Sequence, residues 1–401
     1  MGRFDKHFRM EAKDVEEYVR LRLDLFKDSG DLEVREIGDG NINYVFRVVD
    51  KARNVSAIVK HADLGTRSGS RILGFDRNRI EAEILRLEGE LAPGLAPEVF
   101  DYDPVMACLA MEDLSDHRIL RYALIDREIF PRLAQDVATF VARTTVPTLD
   151  MVMDPAEKKG LVQRYTNPPL CAITEQLVYT EPYMNQPGRT KVFPPNADFV
   201  ERELFSDREL HLEVGKLKYS FMNEAQALIH GDLHSGSIFV KPDSTKVIDP
   251  EFAYFGPIGY DLGNFIGNLC FARIRAQVAA PKDEKTEEFL SWIDGCMAET
   301  VDRFASLFLS LFAEKAADPM GKSPGYAQWL LGRILADSAG VAGVEIIRRI
   351  VGVAQVKDIV GIGNEGQRAG AERILVLAAK RFILDRYSHR RGKDYVATLL
   401  A

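Results

Sequence analysis

The 401-residue sequence predicts an α+β fold with two lobes, a small antiparallel β-sheet N-lobe followed by a large, mainly helical C-lobe. Short segments rich in β-branched and aromatic residues, separated by turn residues, are concentrated in the first 113 residues and predict the sheet. After Ser115 the apolar residues recur mostly at helical spacing. We therefore place the N-terminal lobe at residues 1–113 and the C-terminal lobe at residues 114–401.

The small lobe is predicted to begin with a helix, because apolar residues between positions 12 and 27 fall at roughly helical spacing. The segments "LEVREIG", "YVFRVVD" and "SAIVKHA" follow, separated by "DGN" and "KARN", and predict a three-stranded antiparallel meander. Residues 76–91 predict an amphipathic helix with Asp76 as its N-cap. The segments "PEVFDYD" and "MACLAMEDLS" predict two further strands.

Composition and charge exclude several classes of protein. The formal net charge of −8 does not suggest a protein that coats nucleic acid or an anionic membrane, and no apolar run is long enough to span a bilayer. The four scattered cysteines form no CxxC pair, which disfavours zinc ribbons and thioredoxin-type chemistry. The N-terminus is charged from its third residue and has no apolar core typical of a signal peptide. We therefore expect a cytoplasmic protein.

The segment "LIHGDLHSGSIFV" (228–240) interrupts the helical pattern of the large lobe, and two short strands, "SIFVK" and "KVIDP", follow it. We expect this pair of strands to bring Asp232 near Asp249. Residues two apart in an extended chain point the same way, so Asp249 and Glu251 are expected to face one cation, with Pro250 stiffening the spacing. Oxygen ligands of this kind suit Mg²⁺.

Two alternatives remain open from these residues alone. The acidic side chains fit a solvated, hydrogen-bonded loop equally well. The alternation of His230, Asp232 and His234 also suggests zinc, although no third nitrogen or sulfur ligand has an obvious place.

Three features of the small lobe favour phosphate chemistry. Gly38 and Gly40 lie in a turn between strands, where backbone N–H groups can approach phosphates closely. Lys60 ends an apolar strand, and the following helix offers Glu81 or Glu83 as its partner. A Lys–Glu pair of this kind positions the α- and β-phosphates of ATP in kinases. The segment "AMEDLS" (110–115) fits either an adenine-binding edge or a simple linker.

Together, these features resemble the protein-kinase-like phosphotransferases, in the branch with aminoglycoside and choline kinases, over about residues 32–270. The similarity is closer to the 5-methylthioribose kinases. It rests on "GDGNINYVFRV", "MEDLS", "LIHGDLHSGSIFV", "KVIDPEFAYFGPIGYDLGNF" and "GVEIIRRIVGVAQVKDI". In that family an adjacent arginine pair binds the sugar, and Arg348 and Arg349 match it. Spacing alone would instead favour a solvated helix face for these two arginines.

The resemblance implies ATP and Mg²⁺ as cofactors, a small sugar as substrate, and a homodimer. It implies these ATP-binding residues: Gly38, Gly40, Asn43, Lys60, Glu81, Glu112, Asp113, Leu114, Asp249, Pro250 and Glu251. Asp249 and Glu251 are the expected metal ligands. Asp232 is the expected catalytic base for the 1-hydroxyl of 5-methylthioribose, and with Arg348 and Arg349 it forms the expected sugar site.

The chain departs from the usual patterns at three places. Ser237 stands where kinases generally place a metal-binding Asn, and the DFG-type segment reads Asp249-Pro250-Glu251; the methylthioribose kinases share both features. The family usually has a tryptophan in a loop before the Glu helix, whereas "LGTRSGSRILGFDRNR" has none. Asp261 matches a residue that braces the catalytic loop, so we assign it a structural role.

The missing tryptophan keeps a related acceptor such as 5-deoxyribose open as an alternative. Aminoglycosides and choline are cations, which the arginine pair would oppose. A catalytically inactive nucleotide-binding protein is disfavoured because Lys60, Asp232 and Asp249 are all present.

Overall fold

The computed structural model of the protein describes residues 2–37, 43–63, 73–185 and 188–401. The chain divides into two compact units. The first comprises Met1–His117 together with Lys246–Phe252, and the second comprises Arg118–Thr245 together with Ala253–Ala401. The short segment that carries Asp249 and Glu251 thus belongs to the same unit as Lys60 and Glu81. The sequence-based boundary between residues 113 and 114 stays a prediction.

The first unit is built on one antiparallel sheet. Its strands are β1 (Glu33–Glu36), β2 (Tyr44–Asp50), β3 (Val55–His61), β4 (Val99–Asp103) and β5 (Cys108–Glu112). They lie in the order β1-β2-β3-β5-β4. Helix α1 (Ala12–Arg22) precedes the sheet, and helix α2 (Asp76–Leu91) connects β3 to β4. The predicted order of helices and strands in this part of the chain is confirmed.

The alternation of side chains along β3 places Lys60. Ala57 and Val59 point to the sheet face that packs with α1 in one apolar cluster. Ile58 points to the other face and packs against Ala82 and Leu85 of α2. Because successive strand residues point to opposite faces, Lys60 shares the face of Ile58 and is directed toward α2.

The prediction that Asp76 caps helix α2 is wrong. The N-cap is Phe75, whose backbone is in the right-handed helical region, and no side chain caps the helix. Asp76 is the first helical residue and accepts a hydrogen bond from Arg79 Nε at 2.6 Å. An acidic residue in the first turn still favours the helix dipole, although it satisfies no end N–H group.

The second unit is mainly helical. Its helices are α3 (Leu120–Ile125), α4 (Leu133–Thr145), α5 (Pro155–Arg164), α6 (Pro168–Leu177), α7 (Ala197–Val200), α8 (Arg208–Asn223), α9 (Gly259–Ala279), α10 (Glu284–Lys315), α11 (Tyr326–Val351), α12 (Lys357–Val360), α13 (Glu365–Leu384) and α14 (Gly392–Leu400). The short strands are β6 (Arg118–Ile119), β7 (Ala227–Ile229), β8 (Ile238–Lys241), β9 (Ser244–Val247), whose last two residues belong to the first unit, and β10 (Tyr254–Gly256). Strands β7 and β10 pair with each other, and the remaining three form a sheet in the order β6-β8-β9.

Helices α9 and α11 approach each other at a stripe of three glycines. A Cβ atom at Gly259 would lie 2.7 Å from the backbone nitrogen of Ser338, and one at Gly263 would lie 2.5 Å from the carbonyl oxygen of Ser338. At Gly267 it would lie 3.1 Å from the carbonyl oxygen of Ala342. Only glycine permits this backbone approach without a shift, so the spacing G-x₃-G-x₃-G sets how closely the two helices pack.

The described residues include no helix with the length and apolar character that crossing a membrane would require.

Candidate active site

Lys60 is buried, with 6% of its surface exposed, and its ammonium group contacts the carboxylates of Glu81 and Asp249. Burial works against the charge of Lys60, but the carboxylates of Asp249, Glu81 and Glu251 outweigh it and raise the pKa of the lysine. Lys60 therefore stays protonated across the physiological range. Of the two glutamates that the sequence offered, Glu81 is the partner, while Glu83 accepts from Arg79 at 2.9 Å.

The prediction that Asp249 and Glu251 lie in extended chain is wrong, because Pro250–Phe252 forms a 3₁₀ turn. Asp249 has a φ of +64°, a conformation that costs a non-glycine residue about 1 kcal/mol. The positive φ redirects the chain after β9, and the Asp249 side chain reaches Lys60. Burial, followed by the nearby charge of Glu81, raises the pKa of Glu251 to about 8.

Sequence reasoning missed Arg77, which is buried one helical turn before Glu81 on the same face of α2. Its guanidinium donates to Asn43 Oδ1 at 3.1 Å, and its Nε lies 3.8 Å from Glu251 Oε2. Burial lowers the pKa of Arg77. The i, i+4 spacing from Glu81 was the available signal, since residues four apart share a helix face.

The predicted adenine-binding segment follows the end of β5. Glu112 Oε2 accepts from Lys246 Nζ at 3.1 Å, and Asp113 Oδ2 accepts from Arg47 Nε at 2.7 Å. Both acidic side chains are therefore engaged within this unit. The backbone N–H of Leu114 has no acceptor among the residues that the structure describes, which leaves a donor at the end of the strand.

Gly38 and Gly40 lie outside the described residues, as does most of the loop in which the family's tryptophan was expected. Asn43 is described and buried, and its side-chain oxygen is the acceptor of Arg77.

In the second unit, the loop carrying Asp232 is braced by Asp261 at the start of α9. Asp261 is buried, and its two carboxylate oxygens accept from the backbone N–H of His230 at 2.8 Å and of Gly231 at 2.9 Å. Gly231 has a φ of +81°, which favours glycine, and the N–H of Asp232 donates to His230 Nδ1 at 3.2 Å. The loop thus has one well-defined path, and Asp261 makes the bracing contacts expected of it.

Both carboxylate oxygens of Asp232 face donors. Oδ2 lies 3.4 Å from His234 Nε2, and Oδ1 lies 3.5 Å from a terminal nitrogen of Arg348. Burial works against the ionised carboxylate, but His234, Arg348 and Arg349 outweigh it and lower the pKa of Asp232 to about 2. Asp232 is therefore an ionised hydrogen-bond acceptor at every pH above about 3.

His234 is held neutral in one tautomer. Its Nδ1 accepts from the backbone N–H groups of Gly236 at 3.0 Å and Ser237 at 3.1 Å, so the ring proton belongs on Nε2, facing Asp232. Burial lowers the pKa of His234 to about 4, and the nearby guanidinium of Arg349 acts in the same direction.

Arg348 and Arg349 do not form a solvated helix face, so that interpretation of the adjacent arginines is wrong. Their side chains are 12% and 11% exposed, and both guanidinium groups donate through Nε to Glu345, which is fully buried. The Arg349 bond is 3.0 Å. Burial opposes the charge of Glu345, but the two arginines outweigh it and lower the pKa of the glutamate.

Sequence reasoning also missed Glu345, Asn268 and Arg121. Glu345 precedes the arginine pair by three and four residues, a spacing that could have revealed it. Arg121 donates its backbone N–H to the carbonyl oxygen of Ser235 at 3.0 Å, and its Nε lies 3.7 Å from Asp358 Oδ2. No local pattern could reveal Asn268 or Arg121, because their contacts with Glu345 and Ser235 join distant parts of the chain.

The structure thus gathers the predicted residues into two sets. Lys60, Glu81, Asp249 and Glu251 lie together in the first unit, and Asp232, Arg348 and Arg349 lie together in the second. The first set is a cation held among carboxylates, which suits polyphosphate and metal binding. The second is an ionised acceptor beside guanidinium donors, which suits a polyhydroxyl ligand. That the two sets act on one nucleotide and one sugar stays a prediction.

Comparison with known proteins identifies one family, two similar proteins and one similar structure. The model of the phosphotransferase enzyme family matches residues 33–288. The chain is 39% identical to the methylthioribose kinase of Geobacillus kaustophilus (strain HTA426), over 94% of this chain and 93% of that protein. It is also 39% identical to the methylthioribose kinase of Erwinia tasmaniensis, over 93% of each. The structure of choline kinase from Cryptosporidium parvum Iowa II is 12% identical, with a TM-score of 0.51 over 96% of this chain and 100% of that one, and this likeness supports the fold.

Proposed function

The chain belongs to the methylthioribose kinase family, within the phosphotransferase enzyme family, and from this premise we propose that it phosphorylates 5-methylthioribose. ATP is the phosphoryl donor, and the product is 5-methylthioribose 1-phosphate. The observation that carries the proposal is the 39% identity to a methylthioribose kinase over 94% of the chain. The placement of the charged residues supports it.

In this proposal the first unit holds the nucleotide. Lys60 contacts the phosphates and Glu81 orients Lys60, in agreement with their buried contact. The family resemblance assigns Gly38, Gly40 and Asn43 to the phosphates, and of these only Asn43 is among the described residues. The segment of Glu112, Asp113 and Leu114 binds adenine through its backbone, and the N–H of Leu114 is the donor that supports this role.

We assign Mg²⁺ to Asp249 and Glu251, with Pro250 between them, and the donor set fits this ion. The ligands are carboxylate oxygens. Burial and the charge of Glu81 raise the pKa of Glu251, and a bound cation would favour its ionised form, which supports the assignment. Within the described residues no group of three or more His, Cys, Asp and Glu is arranged to hold a metal. Two carboxylates suffice for Mg²⁺, because phosphate oxygens and water usually complete its octahedron. The ion would offset negative charge on the phosphates.

The second unit provides the acceptor site. Asp232 accepts the hydrogen bond of the sugar's 1-hydroxyl and takes its proton as the oxygen bonds to the γ-phosphorus and the bond to the ADP oxygen breaks. With a pKa of about 2, Asp232 is a weak base, so it mainly orients the hydroxyl and receives the proton late. Arg348 and Arg349 bind the sugar hydroxyls. Positioning and charge neutralisation thus supply most of the rate enhancement.

A second candidate is a kinase for a related pentose such as 5-deoxyribose. The observation that favours it is the absence of tryptophan from residues 64–79, because a less apolar cover would contact a methylthio group less well. An inactive nucleotide-binding protein is a weaker candidate, since Lys60, Asp232 and Asp249 are all retained.

We also propose a cytoplasmic homodimer. The four cysteines are free, and Cys108, Cys270 and Cys296 are buried, which fits a reducing compartment. The dimer rests on the family resemblance. Light scattering of the purified chain tests it, and a monomer at micromolar concentration would contradict it.

A panel of acceptors tests the substrate. Release of ADP is measured with 5-methylthioribose, 5-deoxyribose, ribose and choline, with and without Mg²⁺. We expect the largest kcat/KM for 5-methylthioribose and activity only with the ion. If 5-methylthioribose is inert while another alcohol is phosphorylated, the sugar assignment is wrong and the kinase assignment stands. If no acceptor releases ADP although ATP binds, the protein is not a kinase for these acceptors.

A further inference from the structure

We propose that Asn268 is a positioning residue that fixes the arginine pair relative to Asp232. It does so by joining the loop that carries Asp232 to the buried carboxylate of Glu345, which in turn holds Arg348 and Arg349. The inference rests on the proposed function, because it concerns how the acceptor sugar is held against its base.

The side-chain amide of Asn268 uses all of its hydrogen-bonding capacity. Its Oδ1 accepts from the backbone N–H of Ser235 at 3.3 Å and from the hydroxyl of Ser235 at 2.8 Å. Its Nδ2 donates to Glu345 Oε1 at 3.1 Å and to the carbonyl oxygen of Asn264 at 2.9 Å. An amide offers two acceptor and two donor positions, so this side chain has one satisfied orientation.

The position of the Glu345 carboxylate determines the positions of the two arginine side chains. It is fully buried, and besides Asn268 it accepts from Nε of both Arg348 and Arg349. Separating the Glu345 carboxylate from the arginines would be costly, because a fully buried charge that loses its partners has no water to replace them. A displacement of the Glu345 carboxylate would therefore displace both guanidinium groups, including the Arg348 nitrogen that lies 3.5 Å from Asp232.

The close packing of α9 and α11 makes this bridge possible. A Cβ atom at Gly267, next to Asn268, would lie 3.1 Å from both Ala342 O and Glu345 Cγ. The glycine brings the helix backbones close enough for the short asparagine side chain to reach a glutamate on the neighbouring helix. From α9, the Asn268 side chain thus reaches both Glu345 on α11 and Ser235 in the loop that carries Asp232.

Loosening the bridge should affect the sugar far more than the nucleotide. The acceptor hydroxyl is held by Asp232 and the rest of the sugar by the arginines, so an error in their relative position reduces productive binding. Lys60 and Glu81 belong to the other unit and make none of these contacts.

The test is Asn268→Leu, which keeps a similar volume and removes all four hydrogen bonds. We expect KM for the sugar to rise about tenfold and kcat to fall about tenfold, which together lower kcat/KM about a hundredfold, the cost of a misplacement of about 1 Å. KM for ATP should stay within about twofold of the original. The matched control is Thr300→Val on α10, a buried residue whose hydroxyl donates to Cys296 O of its own helix at 2.7 Å. It should leave KM for the sugar unchanged at a similar loss of Tm.

A folded Asn268→Leu variant with unchanged KM for the sugar and unchanged kcat would overturn the inference. If this variant does not fold, Ser235→Ala replaces it. The alanine removes the 2.8 Å hydroxyl bond to Asn268 and the 3.3 Å bond that the same hydroxyl accepts from Arg121 Nε, and it leaves the backbone N–H bond of Ser235 to Asn268 in place. We expect a rise of about threefold in KM for the sugar, half a step on the same logarithmic scale. No rise would again overturn the proposal.

The failure of the proposed function would be distinguishable from the failure of the bridge. If the original protein does not phosphorylate 5-methylthioribose, only the sugar assignment is overturned. The variants are then measured with the acceptor that the protein does phosphorylate. If no acceptor is phosphorylated, kinetics cannot test the bridge. The free energies of unfolding in urea are then measured for Ser235→Ala, Glu345→Gln and the double variant, as a double-mutant cycle. The bridge predicts that the double variant loses less stability than the sum of the single losses, and additive losses would overturn it.

Discussion

The substitution Asp232→Asn separates catalysis from stability and tests the electrostatics of the acceptor site. Asparagine has the shape of a protonated aspartic acid, so the variant mimics the neutral form of Asp232 at any pH. We expect phosphoryl transfer to fall by at least about a hundredfold, the usual contribution of a positioned base. The affinity for ATP should remain, because the contacts of Lys60 and Glu81 lie in the other unit.

The stability change can be worked from the pKa of Asp232. The folded protein lowers this pKa from 3.8 to about 2, because His234, Arg348 and Arg349 outweigh the cost of burial. At about 1.4 kcal/mol for each factor of ten in proton affinity, the difference corresponds to about 2 kcal/mol in favour of the ionised form. Because the folded pKa is the lower one, this stabilisation is present above pH 3.8 and is lost as the pH falls through about 2.

Urea unfolding of both proteins at pH 7 and pH 5 measures this difference. We expect Asp232→Asn to lower the free energy of unfolding at both values by up to about 2 kcal/mol, since both lie above the pKa of the unfolded aspartate. His234 is neutral at both values, so it contributes its N–H but no charge to this difference. Binding of ATP, measured by calorimetry, is the control for an intact first unit. A variant as stable as the original protein, or more stable, would refute the reasoning. It would mean that burial of the carboxylate costs more than its neighbours contribute.

Two further changes test other parts of the site, and a third tests a buried histidine next to Lys60 in the sequence. Lys60→Met should lower kcat at least about a hundredfold and raise KM for ATP, because the buried cation beside Glu81 is lost; initial rates at varied ATP check this, and an unchanged kcat would contradict it. Arg348→Lys should raise KM for the sugar about tenfold and leave KM for ATP unchanged, because lysine cannot both donate to Glu345 and face Asp232. Equal changes in the two KM values would argue against a contact between Arg348 and the sugar. Burial lowers the pKa of His61 to about 4, so the folded protein favours the neutral histidine and its free energy of unfolding should fall as the pH drops from about 6.5 to 4. In urea unfolding, His61→Gln should flatten this pH dependence, and an unchanged slope would exclude His61 as its source.

The local patterns that the sequence carries predicted the first unit well. β-Branched segments and turn residues located the strands, and period-two alternation along β3 is enough to direct Lys60 toward the helix that carries Glu81. The exceptions are instructive. Phe75 rather than Asp76 occupies the N-cap position of α2, and a 3₁₀ turn replaces the extended chain expected around Pro250. Tertiary contacts determine the conformation of the residues just before a helix and just after a strand, so local pattern predicts these residues least well.

Local sequence patterns alone were not enough to predict the residues of the acceptor site. Spacing alone gave Arg348 and Arg349 a solvated helix face, and only the family resemblance favoured a site. The structure buries both arginines against Glu345, a residue that nothing in the sequence analysis selected. A charged side chain at helical spacing has the same local signature whether it faces water or a buried partner, because the partner lies on another element.

The sequence by itself determined the order of helices and strands in the first unit, the mainly helical character of the second, the charged residues available for phosphate and sugar chemistry, and the family. Only the tertiary structure decided which of those charges meet. Asn268 and Glu345 are 77 residues apart, and they meet because glycines on α9 allow it to pack closely against α11. Periodicity along a chain specifies the face of an element on which a residue lies. The neighbour that covers that face depends on how whole elements pack, and that packing is determined by the chain as a whole.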